Sequence, residues 1–165
     1  MFKNINLSKK LSKEEEVQKM LDAANAVCKS ISTQGLLNLG IEDYIYSTKE
    51  AVEELGLDEE LVQQLLEDYV SQIIKSVIQF REYISLLEDK KSLDYTPMRE
   101  LAHKNLGVAR NLRIKDAEKL LYELMKKDNL EYLKDCLMAL ELCAIKLKPT
   151  CAYETLQLIK IKQSI

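Results

Sequence analysis

Apolar residues along the chain recur every three to four positions, the period of amphipathic helices, and rarely alternate as a strand requires. The clearest run is Leu66, Val70, Ile73, Val77, Phe80, Ile84 and Leu87, with intervals that alternate 4 and 3. It lays one apolar stripe along a helix of about thirty residues, on the order of 45 Å long. Asp58, Glu59 and Glu60 supply an acidic first turn suited to the helix dipole, and Asp89-Lys90-Lys91-Ser92 ends the element. A second stripe, Leu130, Leu133, Leu137, Leu140, Ala144 and Leu147, has the same spacing, with Asp128 and Glu131 as its expected cap.

Weaker patterns fill the rest. Residues 1–12 read as loose and polar, and Ser12 with Glu15 has the capping-box spacing that opens a helix to about Ser32, ahead of Gly35. A helix from about Ile41 to Leu55 is stopped by Gly56. Thr96 as cap and Pro97 in the first turn open a helix through Leu112, whose expected buried stripe is Met98, Leu101, Asn105, Val108 and Leu112. The next helix carries Ile114, Ala117, Leu121 and Leu124, and Pro149 starts a last one with Leu156 and Ile159 on its apolar side. Short connections force neighbouring helices antiparallel. The expected fold is therefore all-α: an up-down-up-down four-helix bundle over 41–148, capped at one end by the 41–55 helix. Residues 1–40 form an N-terminal helical extension, and 149–165 a C-terminal helix packed on the bundle.

Composition narrows the class without changing it. Four Gly, two Pro and no Trp in 165 residues are too few turn residues for a many-stranded barrel or sandwich. One domain of this length folds without disulfides or a metal. With 24 basic and 27 acidic side chains there is no basic excess, so no nucleic-acid partner is expected. The first ten residues lack the apolar core of a signal peptide, and no stretch approaches the ~20 apolar residues of a membrane span. A cytoplasmic protein with no membrane partner is expected. Cys28, Cys136, Cys143 and Cys151 lack CxxC spacing, and the chain has a single His, so they read as reduced thiols with no metal or cofactor among them.

That histidine, His103, is the informative residue. It lies two positions from both Leu101 and Asn105, about 200° round the helix, and so points away from the core. Arg99, Leu106, Gly107 and Arg110 are expected on the same face, with Lys104 on a neighbouring one. The glycines at 35, 40 and 56 fall in expected breaks, whereas Gly107 sits inside a helix, where it costs about 1 kcal/mol relative to Ala. A missing side chain one turn from His103 lets another surface approach the imidazole. From His103 to Lys115 the chain carries Lys104, Arg110, Arg113 and Lys115 and no acid. A neutral imidazole nitrogen can take a phosphoryl group, whose oxygens nearby cations stabilise.

These residues resemble the histidine-containing phosphotransfer (HPt) domain of bacterial two-component phosphorelays, over about residues 41–148. The likeness begins at Leu55-Gly-Leu-Asp-Glu-Glu-Leu-Val-Gln-Gln-Leu-Leu-Glu-Asp-Tyr-Val70 and is strongest at Leu101-Ala-His-Lys-Asn-Leu-Gly-Val-Ala-Arg-Asn-Leu112. His103 matches the family's phosphorylated residue, Gly107 its clearance glycine, Ala109 its small position and Leu112 its apolar one. Asn105 stands where the family has a core leucine, Leu106 where it has a phosphate-holding lysine, and Arg113 where it has a second glycine. The resemblance implies a four-helix bundle with a capping helix. It also implies a phosphocarrier that is not itself a kinase and has no nucleotide site, with a response-regulator receiver domain as partner and a hybrid histidine kinase as a further one. Arg99, Lys104 and Arg110 are then the candidate charge partners.

Other classes fit less well. A lone His on a helix is more often an ordinary surface residue, and only Gly107 and the basic neighbours tip the balance. Glu100 and His103 make one fragment of the di-iron pattern, which needs two such fragments facing the core. Hydrolase and nucleotide-binding motifs are missing. Leu106, expected at the surface in place of the family's lysine, motivates the alternative of an HPt-like adaptor that binds a receiver or kinase without phosphotransfer. A remoter alternative is a helical dimerisation module built on the two terminal extensions.

Overall fold

The computed structural model describes residues 11–30, 34–41 and 44–164, and they are helical with no strand among them. The helices are α1 (Lys13–Ser30), α2 (Gln34–Leu39), α3 (Lys49–Leu55), α4 (Glu59–Glu88), α5 (Thr96–Leu112), α6 (Lys115–Lys126), α7 (Leu130–Leu147) and α8 (Pro149–Gln163). The loose segment expected at 1–12 lies outside the described residues up to position 10, as does Ser32. No helix of the described residues is long and apolar enough to cross a membrane.

Helix starts follow local chemistry. Ser12 and Glu15 form the reciprocal box: Glu15 N donates to Ser12 Oγ at 3.2 Å, and Ser12 N to Glu15 Oε1 at 3.1 Å. Asp58 Oδ1 accepts from Leu61 N at 2.8 Å to open α4. Two expected caps shift by a residue or two. Asn129, not Asp128, caps α7 by accepting from Tyr132 N at 3.1 Å. Thr96 is already inside α5, and Asp94 Oδ1 accepts from its N–H at 2.9 Å. Gly35 falls in the first turn of α2 rather than in a break.

The helix expected over 41–55 shrinks to α3. Residues 44–47 instead run outside any helix and are tied to the far end of α5. Tyr46 Oη donates to the Leu112 carbonyl at 2.7 Å. Tyr44 Oη donates to the Arg113 carbonyl at 3.0 Å and accepts from Lys115 N at 3.1 Å. Tyr-Ile-Tyr has modest helix propensity, and the hydroxyls satisfy carbonyls that a helix end leaves without partners. Gly56, at φ 68°, closes α3 with its N–H on the Val52 carbonyl.

α4 packs on α5 and α7, and α6 packs on the same two helices. α8 lies against α4 and α7, and α1 against α7 and α8. Every residue of the α4 stripe is buried, and with Met98, Leu121, Leu124, Leu133 and Leu137 it forms the centre of the core. Each such side chain stabilises the fold by roughly 1.5–3 kcal/mol relative to exposure. Lys13 pairs with Glu154 at 2.7 Å, and Tyr153 donates to Glu16, so α1 and α8 are joined side by side.

Candidate functional site

α5 places His103 at mid-helix and exposes it. Its core side consists of Met98, Ala102, Asn105, Leu106, Ala109 and Leu112. At about 100° per residue this arc is turned from the expected stripe toward Leu106 and away from Val108. Val108 is 41% exposed and Leu106 1%. Both are apolar, so the sequence pattern alone does not choose between them. The choice is made by packing: α5 lies against α4 and against α6, which follows it after a tight turn at Arg113–Ile114, and the Ala102–Leu106–Ala109 edge is on the buried side. Leu106 therefore does not share a surface with His103, and the exposed docking contact expected of it is not available. His103 stays in solvent because it lies about 60° beyond Leu106, outside the buried arc.

Beneath α5 lies a buried polar pair. Asn105 is 1% and Ser76 is 1% exposed. Asn105 Nδ2 donates to Ser76 Oγ at 3.1 Å and to the Leu101 carbonyl at 3.0 Å. Where the resemblance leads one to expect a core leucine, a satisfied amide spans from α5 to α4. Asn105 in the expected buried stripe was the sequence signal for it, and Ser76, one position before Val77 of the α4 stripe, supplies the partner.

The three candidate charge partners and the nearby Arg113 separate into two groups. Arg99 is committed to structure: Nη1 donates to the carbonyls of Leu124 at 2.7 Å and Lys127 at 2.6 Å, closing the C-terminal end of α6, and the guanidinium stacks over Tyr95 at 4.9 Å. It is not the free phosphate partner expected of it. Arg113 pairs with Glu54 of α3, which holds the Glu54 carboxyl below its usual range, first through that hydrogen bond. It also takes φ 61°, the left-handed conformation that glycine adopts most readily. Lys104 and Arg110 are exposed, and their side chains form no hydrogen bond or ion pair with any described residue. The same holds for His103. Among the described residues of α5, the free cations are thus Lys104 and Arg110.

Gly107 completes the surface. It is exposed, its φ is not positive, and a Cβ built on it meets nothing within 4 Å. Gly40 and Gly56, by contrast, take φ values of +67° and +68°. Neither backbone conformation nor internal crowding requires glycine at 107. What its missing side chain clears is space outside the molecule, one turn from His103.

Sequence reading missed the Tyr44 and Tyr46 ties and the structural use of Arg99, both of which depend on partners distant in the chain. Compared with protein families, curated proteins and solved structures, the chain finds no match.

Proposed function

We propose that the protein is a histidine phosphotransfer protein, in which His103 carries a phosphoryl group between receiver-domain aspartates. In this reading α4, α5, α6 and α7 are the antiparallel up-down-up-down bundle of residues 41–148. α3 caps one end, and the segments 1–40 and 149–165 are additions packed on it. The observation that carries the proposal is Gly107. An exposed glycine in a helix interior costs about 1 kcal/mol, and a partner that must approach this face accounts for it.

The chemistry needs the exposed imidazole in the form whose Nε2 lone pair is free and whose Nδ1 carries the proton. The Nε2 lone pair attacks the phosphorus of a receiver aspartyl phosphate. The N–P bond forms as the P–O bond to the aspartate breaks, and the carboxylate leaves with the bonding electrons. The ring keeps the Nδ1 proton and becomes a phosphoimidazolium, and donation to a second aspartate runs the same exchange backward. Little covalent work falls to the protein, so positioning and charge dominate. Lys104 and Arg110 are the cations free to meet the phosphoryl oxygens, and they also complement an acidic receiver pocket. No nucleotide enters this step.

The adaptor alternative rested on an exposed Leu106 and loses that support with its burial. The test is to charge receiver domains from the same genome with a small phosphodonor, mix them with this protein, and look for an acid-labile, base-stable phosphohistidine. The expected result is a label that disappears in His103→Gln. Failure of every receiver to transfer overturns the proposal.

A further inference from the structure

Away from α5, a cavity of about 670 Å3 opens between α1, α2, α6, α7 and the Tyr44–Tyr46 segment, with Tyr69 of α4 in its wall. Protein interiors ordinarily close-pack, with few voids larger than a water molecule, whereas this volume suits a small organic molecule. Small side chains leave the space open: Ala117 of α6 and Ala139 and Ala144 of α7 line it, and all three are buried. None of the lining residues belongs to the helix that carries His103.

The polar groups of the wall are engaged with the protein itself. Tyr44 and Tyr46 spend their hydroxyls on the backbone where α5 meets α6, so they bring rings, not free hydrogen-bonding groups, to the cavity. Asp116 accepts from the Ala117 N–H at 2.7 Å. Burial raises its carboxyl above the ordinary range, and the Cys143 thiol, which donates to it, and the nearby Lys146 charge act in the opposite direction. Asp116 and Lys146 are the two charged groups in the lining, and their signs cancel. A charged ligand entering here would give up its hydration without meeting a net opposite charge. At the rim stands Ile45, 88% exposed between two tyrosines whose hydroxyls are tied down. An apolar molecule in the cavity would cover part of that side chain.

We propose that this cavity is a binding site for a small, uncharged molecule built on an aromatic ring. The ring packs against the rings of Tyr44, Tyr46 and Tyr69 in offset or edge-on contacts. The alanine face gives it room, and its outer edge lies against Ile45. Three aromatic rings in one wall favour an aromatic guest over an aliphatic one of the same size, and the cancelled charges favour a neutral guest over either ion. The inference does not rest on phosphotransfer.

The experiment titrates the full-length protein at neutral pH with four probes that share a seven-carbon skeleton: benzyl alcohol, cyclohexylmethanol, benzylammonium and benzoate. Amide chemical shifts follow binding. Benzyl alcohol is expected to saturate at least tenfold more tightly than either ion and several-fold more tightly than cyclohexylmethanol, with shifts concentrated at Ile45, Tyr69 and Ala139. Ala139→Leu, which fills the cavity from α7, should abolish the binding. Ile45→Ser, a change at an exposed position, should weaken it several-fold. Circular dichroism checks that each variant is folded, and should Ala139→Leu fail that check, the ranking of the four probes on the unaltered protein and the Ile45→Ser titration decide. Absence of saturable benzyl alcohol binding, equal or tighter binding of any other probe, or undiminished binding by folded Ala139→Leu or by Ile45→Ser overturns the proposal.

Discussion

Asn105 Nδ2 and Ser76 Oγ are 3.1 Å apart in the core, and each is the other's partner across the α4–α5 contact. Ser76 also accepts from Gln72 Nε2 at 3.1 Å, so the hydroxyl is shared between a buried donor and a surface one. Removing one member of such a pair costs more than removing both, because the survivor is left desolvated without a partner. Asn105→Ala is expected to lower the unfolding free energy by about 1–3 kcal/mol. Asn105→Leu combined with Ser76→Ala should fall within about 1 kcal/mol of the unaltered protein. Urea unfolding midpoints at constant slope measure both.

Gly107 separates stability from activity. With a helical backbone and open space around its missing Cβ, Gly107→Ala should stabilise the fold by about 1 kcal/mol. If the proposed relay is right, the same change slows phosphoryl transfer, and Gly107→Leu slows it further while leaving the helix intact. Denaturant unfolding paired with a receiver transfer assay reads the two effects. A Gly107→Leu protein that transfers at the original rate would count against the docking role.

The basic residues near His103 should divide the same way. Arg99→Met removes two charge-assisted hydrogen bonds to the end of α6 and is expected to cost about 1.5–3 kcal/mol of stability. Lys104→Met and Arg110→Met, whose side chains engage no described residue, should leave stability within about 0.5 kcal/mol. Their effect belongs to transfer, which should fall more steeply for them than for Arg99→Met. Parallel melts and transfer rates on the three variants test the division.

Tyr46 gives a pH signature. Burial, with Tyr44 as a lesser cause, raises its phenol from 10.0 to about 12. The folded state therefore holds this proton after the unfolded state has lost it. The resulting stabilisation is complete below pH 10.0 and is lost as pH rises to about 12. Tyr46→Phe lacks both this titration and the bond to the Leu112 carbonyl, so it should be less stable at neutral pH by about 1 kcal/mol. The gap between the two proteins should close across that alkaline window. Unfolding midpoints taken at intervals through it follow the closure.

The long stripes of α4 and α7 were legible in the sequence because each helix presents one apolar face whose repeat outlasts any local ambiguity. The Ser12–Glu15 box was legible because both halves lie within four residues. α5 was legible as a helix but not in its rotation: Leu106 and Val108 are interchangeable to a periodicity count, and packing against the neighbouring helices decides which is buried. The 44–47 segment was misread as helix because its hydroxyl partners sit beyond residue 110, where no local pattern reaches. At the candidate site, exposure of His103 and the oddity of Gly107 could be read from spacing alone. The diversion of Arg99 to two carbonyls of another helix could not.

The bond from the Lys115 amide to the Tyr44 hydroxyl bears on motion as well as architecture. The first turn of α6 takes its partner from a segment far away in the chain, not from its own helix. Solvent exchange at that one amide is consequently governed by how often the tyrosine segment lifts away. Because Tyr44 is also a wall of the cavity, the same exchange rate reports how often that wall moves.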